Sequence, residues 1–101
     1  MSKYELIDKI SKYLSKDILQ IVQGLEEDEK KVLDYFLQNV SVGTIISIRE
    51  LKALYKVDDP RSVIRKLIDK GLIEQGYGCY NLSKPLREAL FMLIVSPSKK
   101  A

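Results

Sequence analysis

The sequence contains no histidine, no tryptophan and a single cysteine, Cys79. Without histidine the commonest general base and the commonest metal ligand are both missing. One cysteine can build neither a disulfide nor a thiolate metal site, so a reducing compartment is expected. There is no G-x-x-x-x-G-K-[ST] loop and no G-x-G-x-x-G after a strand. Gly76-Tyr77-Gly78 is too short to cradle a pyrophosphate and reads as a hairpin turn. Long apolar runs are absent too. The longest, Ala89 to Val95, has seven residues, against the roughly 20 that a bilayer-spanning helix needs. The opening residues, Met1-Ser2-Lys3-Tyr4-Glu5, carry no apolar segment of the secretory kind. These absences predict a cytoplasmic, non-catalytic protein with no cofactor, no metal and no membrane partner. The one carboxylate cluster, Glu26 to Glu29, is read as acids on a solvated first turn, where they offset the positive end of the helix dipole.

What is present is an ordinary globular mixture of 101 residues, 46% apolar and 31% charged. That length makes one domain with a small core, which self-association would help to stabilise. Net charge is +3, unevenly spread. Residues 1–42 carry six basic and eight acidic side chains, a balance of −2, and residues 43–101 carry eleven and six, a balance of +5. A basic half suggests one face for an anionic partner. Abundant Lys, Glu and Ile with few Gln and Asn lean toward a thermophile composition.

Along the chain, Ile7, Ile10, Leu14, Ile18, Ile21 and Leu25 recur in steps of three and four, which predicts one helix over residues 3–23, broken by Gly24. A second helix is expected from about Glu26 to Val40. Thr44-Ile45-Ile46 reads as a short strand. Ser47-Ile48-Arg49-Glu50 fits an S-x-x-E capping box and opens a helix over 48–56 that buries Leu51 and Leu54. A turn of about three residues follows. Asp59 and Pro60 then supply a cap and a first helical residue for a helix over 60–70, with Ile64, Leu67 and Ile68 inward and Gly71 as its left-handed end. Residues 72–75 and 77–82 read as two strands of a hairpin, with Tyr80 and Leu82 on the core face. A last helix runs to about Val95, and residues 96–101 form a frayed tail.

The predicted class is therefore α+β, mainly α with a small β-hairpin. Residues 28–88 resemble the winged helix-turn-helix superfamily. The resemblance is carried by Ser47 to Leu51, by Pro60-Arg61-Ser62-Val63-Ile64-Arg65-Lys66-Leu67-Ile68-Asp69-Lys70-Gly71-Leu72-Ile73, and by Tyr80-Asn81-Leu82-Ser83. The flanking helices and scarcity of special residues look like small archaeal or archaeal-virus members. The chain then divides into an N-terminal amphipathic helix over 1–24, a winged helix-turn-helix core over 25–84, and a C-terminal helix and tail over 85–101.

The resemblance implies that the helix over 60–70 enters the major groove of double-stranded DNA. Arg61, Ser62, Arg65 and Lys66 would supply base readout, and Arg49, Lys52 and Lys56 would sit near phosphates. Tyr77 at the wing tip and Lys84 beyond it complete the expected DNA-binding set. Residues 49–70 hold seven basic and four acidic side chains. Against this, Glu74 to Ser83 contains no Lys or Arg, and Asp58, Asp59 and Asp69 flank the proposed reading helix. Lys9, Lys12 and Lys16 are read as a solvated stripe, and Cys79 as a passive strand residue. The terminal helices carry more apolar side chains than a monomer of this size can bury. Leu6, Ile10, Tyr13, Leu90, Phe91, Leu93 and Ile94 are the expected homodimer or partner interface. Two functions follow: a homodimeric DNA-binding transcription regulator, or a protein-interaction module serving as an accessory subunit of a replication or transcription assembly.

Overall fold

The structure, a computed structural model, describes residues 4–95; the expected tail over 96–101 lies outside them. Six helices and a three-stranded antiparallel sheet follow one another as α1 (Glu5–Ile10), α2 (Lys16–Gln23), α3 (Glu27–Gln38), β1 (Ser41–Gly43), α4 (Thr44–Leu54), α5 (Pro60–Asp69), β2 (Ile73–Gly76), β3 (Cys79–Leu82) and α6 (Lys84–Val95). The sheet order is β1-β3-β2. The architecture is α+β and winged-helix-like, with β2 and β3 as the wing.

The single helix expected over 3–23 is two helices. A 3₁₀ turn at Ser11–Tyr13 follows α1, Leu14 is extended, and Ser15 caps α2 by accepting the Ile18 N–H at 3.3 Å. The Ser11 hydroxyl donates back to the Ile7 carbonyl at 2.8 Å. The break escapes the hydrophobic pattern because both helices turn apolar residues to one core, Ile7 and Ile10 from α1 and Val22 from α2.

The start of α4 also differs from expectation. Residues 44–46 are helical, and the short strand lies at 41–43. Ser47 is inside α4, buried, with its hydroxyl donating to the Thr44 carbonyl at 2.8 Å. Glu50, the other half of the supposed capping box, instead accepts the Tyr35 hydroxyl at 2.6 Å. Shifting the helix start exposes Ile45 and Ile46. Leu54, expected in the core, is 70% exposed. The link from α4 to α5 is five residues long, 55–59, and Lys56 within it takes a left-handed φ of 56°.

The second motif helix forms as its end signals require. Asp59 accepts the Ser62 N–H at 3.4 Å, and Pro60 takes the first helical position, where its missing donor costs nothing. Gly71, at φ 80°, closes a Schellman motif: its N–H reaches Ile68 O and the Leu72 N–H reaches Leu67 O, both at 2.9 Å. Val63, Ile64 and Leu67 are buried and Ile68 is half-buried. The hairpin turns through Tyr77 and Gly78, the latter at φ 64°.

The core lies between α3, α5 and the inner face of the sheet. Phe36 sits at its centre, edge-on to Tyr35 at 5.1 Å and to Tyr80 at 6.2 Å. Each fully buried side chain of this size contributes about 1.5–3 kcal/mol. Tyr80 and Leu82 do face inward, paired with Gln75 and Ile73 across the ladder.

Candidate functional site

Two polar clusters hold the helices that carry the exposed basic residues. Between α3 and α4, burial and the bond to the Glu50 carboxylate push the Tyr35 phenol well above its ordinary pKa. Burial likewise raises Asp34, against the pull of hydrogen bonds from Gln38 and Tyr55. Between α3 and α5, the Glu29 carboxylate is 3% exposed, so it does not sit on a solvated turn as its sequence neighbours suggest. It accepts the Glu26 N–H at 2.8 Å and the Lys70 ammonium at 2.7 Å. Burial opposes its ionisation, but the Glu26 N–H, Lys70 and nearby Lys66 together hold it below the usual carboxylate range.

On this frame Arg49, Lys52 and Lys56 are exposed along α4 and its exit, and Arg61, Ser62, Arg65 and Lys66 along α5. Lys52 and Lys56 border a hollow with Val57 and Asp58. Arg61 and Arg65 line a cavity of about 240 Å³ with Ile68 and with Gln75 and Tyr80 of the sheet. Lys66 stands toward α3, close enough to act on Glu29. Tyr77 projects fully into solvent at the wing tip. Lys84 opens α6, where its N–H is held by the Glu74 carboxylate at 3.2 Å.

The expected association residues also separate. Phe91 and Ile94 are exposed, by 64% and 70%. Leu6, Tyr13, Leu90 and Leu93 are half-buried against the core. Ile10 is fully buried between α1 and the rest of the molecule, so it is removed from any interface. Met92 is exposed beside Phe91.

Three residues escaped the sequence reading. Ile45 and Ile46 are open to solvent at the first turn of α4, and with Gly43, Thr44, Gln75 and Gly78 they line a hollow of about 420 Å³. Gln75 stands in both cavities. Two consecutive β-branched residues had suggested a strand, and only pairing across the sheet puts Gln75 beside them. Among the described residues no group of His, Cys, Asp and Glu is placed to hold a metal ion, and no helix is long and apolar enough to cross a membrane.

Comparison with curated proteins finds no match. Residues 26–88, from the start of α3 into α6, match the family described as PolB1 Binding Protein 2, and the chain belongs to that family.

Proposed function

We propose that this protein is an accessory subunit that binds the DNA polymerase PolB1. The observation that carries the reading is the family match over 26–88, a stretch that includes the whole helix-turn-helix and wing. Within it Ile45, Ile46 and Tyr77 are exposed, and Phe91, Met92 and Ile94 lie just beyond. Covering each such side chain contributes about 1.5–3 kcal/mol to association. The wing has no cation to lay on a phosphate backbone, which favours a protein partner over gene regulation. The role is binding without catalysis, in the cytoplasm, as part of a replication assembly. Calorimetric titration of the chain into PolB1 should give a saturable complex of fixed stoichiometry. No heat and no co-elution at about 10 μM, where a functional accessory complex should already form, would sink the reading.

Contact with duplex DNA is a second reading, favoured by the exposure of Lys52, Lys56, Ser62 and Lys66. If Lys52→Ala/Lys56→Ala/Lys66→Ala binds duplex as wild type does across a salt series, these residues do not meet phosphates. Self-association through Phe91 and Ile94 is a separate proposal. Its test is the mass by light scattering of wild type and of Phe91→Ser/Ile94→Ser, and equal monomeric masses would rule it out.

A further inference from the structure

Arg61 and Arg65 are one turn apart on α5 and line the same cavity. Neither guanidinium has an acidic partner: the ion pairs among the described residues are Lys9–Glu5, Lys70–Glu29 and Arg87–Glu74. The Gln75 amide and the Tyr80 hydroxyl, which share the cavity, also make no hydrogen bond within the described chain. Four sets of donors therefore converge on one recess with nothing to receive them. Arginine presents a planar fork that suits a bidentate carboxylate or phosphate.

The recess does not end there. Gln75 is on the core-side face of the sheet, in register with Tyr80, and beyond it begins the hollow bordered by Ile45 and Ile46. The two cavities share Gln75 as a wall, so the recess against α5 and the hollow at the first turn of α4 adjoin at that side chain, as the two halves of a groove divided by Gln75. One half is cationic. The other is apolar, its isoleucines 67% and 53% exposed.

We infer that this groove receives a short linear segment of the protein partner, in which neighbouring carboxylates sit on Arg61 and Arg65 and adjacent bulky apolar side chains cover Ile45 and Ile46. The inference rests on the reading of the chain as a PolB1-binding subunit. A nucleic acid strand fits the groove poorly. It carries charge at every step, whereas the isoleucine half offers no cation, the hairpin has none, and Asp58, Asp59 and Asp69 flank α5. All the groove residues lie inside the stretch matched to the family, and the exposed end of α6 lies outside it.

The experiment is calorimetric titration of intact PolB1 with five chains: wild type, Arg61→Gln/Arg65→Gln, Ile45→Ser/Ile46→Ser, and the controls Lys52→Gln/Lys56→Gln and Leu54→Ser. Every substituted side chain is exposed, and thermal melts confirm that each variant is folded. Loss of two charge-assisted contacts should weaken binding by about 10- to 100-fold. The isoleucine variant should lose about tenfold or more. Both controls should bind as wild type does. Overlapping synthetic peptides of PolB1 should then give hits that combine acidic with bulky apolar residues, and their binding should fall in both groove variants. If wild type binds PolB1 and both groove variants bind equally well, the groove is not the contact, while the accessory-subunit reading stands. If wild type does not bind PolB1, that reading falls and the groove's proposed occupant with it. If a short DNA duplex binds in place of the peptides, lost in the arginine variant and untouched in the isoleucine variant, the groove is a phosphate site and the inference is overturned.

Discussion

Replacing Lys70 with Met tests how α3 and α5 are held together. The Glu29 carboxylate keeps its bond from the Glu26 N–H, but Oε2 loses the ammonium at 2.7 Å and is left in the core without a partner. A hydrogen bond to a charged group contributes about 1.5–3 kcal/mol. The Lys70 side chain is 38% exposed, so water screens part of the attraction, and the lower end applies, about 1.5–2 kcal/mol. For a domain of this size each kcal/mol moves Tm by about 4–8 °C, so the melt should fall by roughly 6–16 °C at pH 7. The pH dependence supplies the sign. Glu29 titrates below its ordinary value in the folded chain, so its ionised form is the stabilising one. The contribution is complete above the unfolded pKa of about 4.3 and drains as pH falls through the lower, folded value. The gap between wild type and Lys70→Met should therefore be smaller at an acidic pH, below about 4, than at pH 7. Calorimetric melts at both pH values, with Glu29→Gln and the double variant completing a cycle, give the coupling directly. A cost under about 0.5 kcal/mol at pH 7, or the same cost at both pH values, would refute the reasoning.

Tyr35→Phe keeps the ring contacts and removes the donor to Glu50, so urea denaturation should show a loss of about 1–2 kcal/mol. Because the folded pKa values of Tyr35 and Tyr55 are raised, their contribution to wild-type stability should be complete below about pH 10 and fall above it, and Tyr35→Phe should fall less steeply. Gly71→Ala meets no atom within 4 Å, so its cost should be backbone strain alone, about 1–2 kcal/mol by urea denaturation. A larger loss would mean a hidden clash. Leu54→Ser should leave the melt unchanged within about 0.5 kcal/mol, because the side chain is already in solvent; a clear destabilisation would place it in the core after all.

Legibility in the sequence followed the strength of local signals. Helix α5 was readable because Asp59-Pro60 and Gly71 each do one job that few other residues do at a helix end. The wing was readable from Gly76 to Gly78 and the alternation of Tyr80 with Leu82. The start of α4 was misread because Ser47 and Glu50 have capping spacing but spend their polar atoms elsewhere, on Thr44 O and on Tyr35. At 100° per residue Ser62 and Lys66 point outward, with the two arginines beside them, Arg65 at the flank and Arg61 at the N-terminal end. Their convergence with Gln75 is tertiary, set by how α5 lies on the sheet, and no spacing rule reports it. The exposed isoleucines were hidden by the same error that moved the helix start, since β-branched residues suit a strand better than a helix.

Glu74 gives the hairpin a grip on the last helix. From β2 its carboxylate accepts the N–H of Lys84 in the first turn of α6 and pairs with Arg87 one turn later at 3.8 Å. The Ser83 hydroxyl, immediately before that helix, is buried without a hydrogen bond. The helix is thus started by a side chain borrowed from the wing instead of by its own serine. The two elements are yoked at this point: whatever stiffens the hairpin also steadies the root of α6, whose far end carries Phe91 and Ile94 into solvent. Opening and closing of the first-turn amides of α6 should keep time with the hairpin in hydrogen exchange.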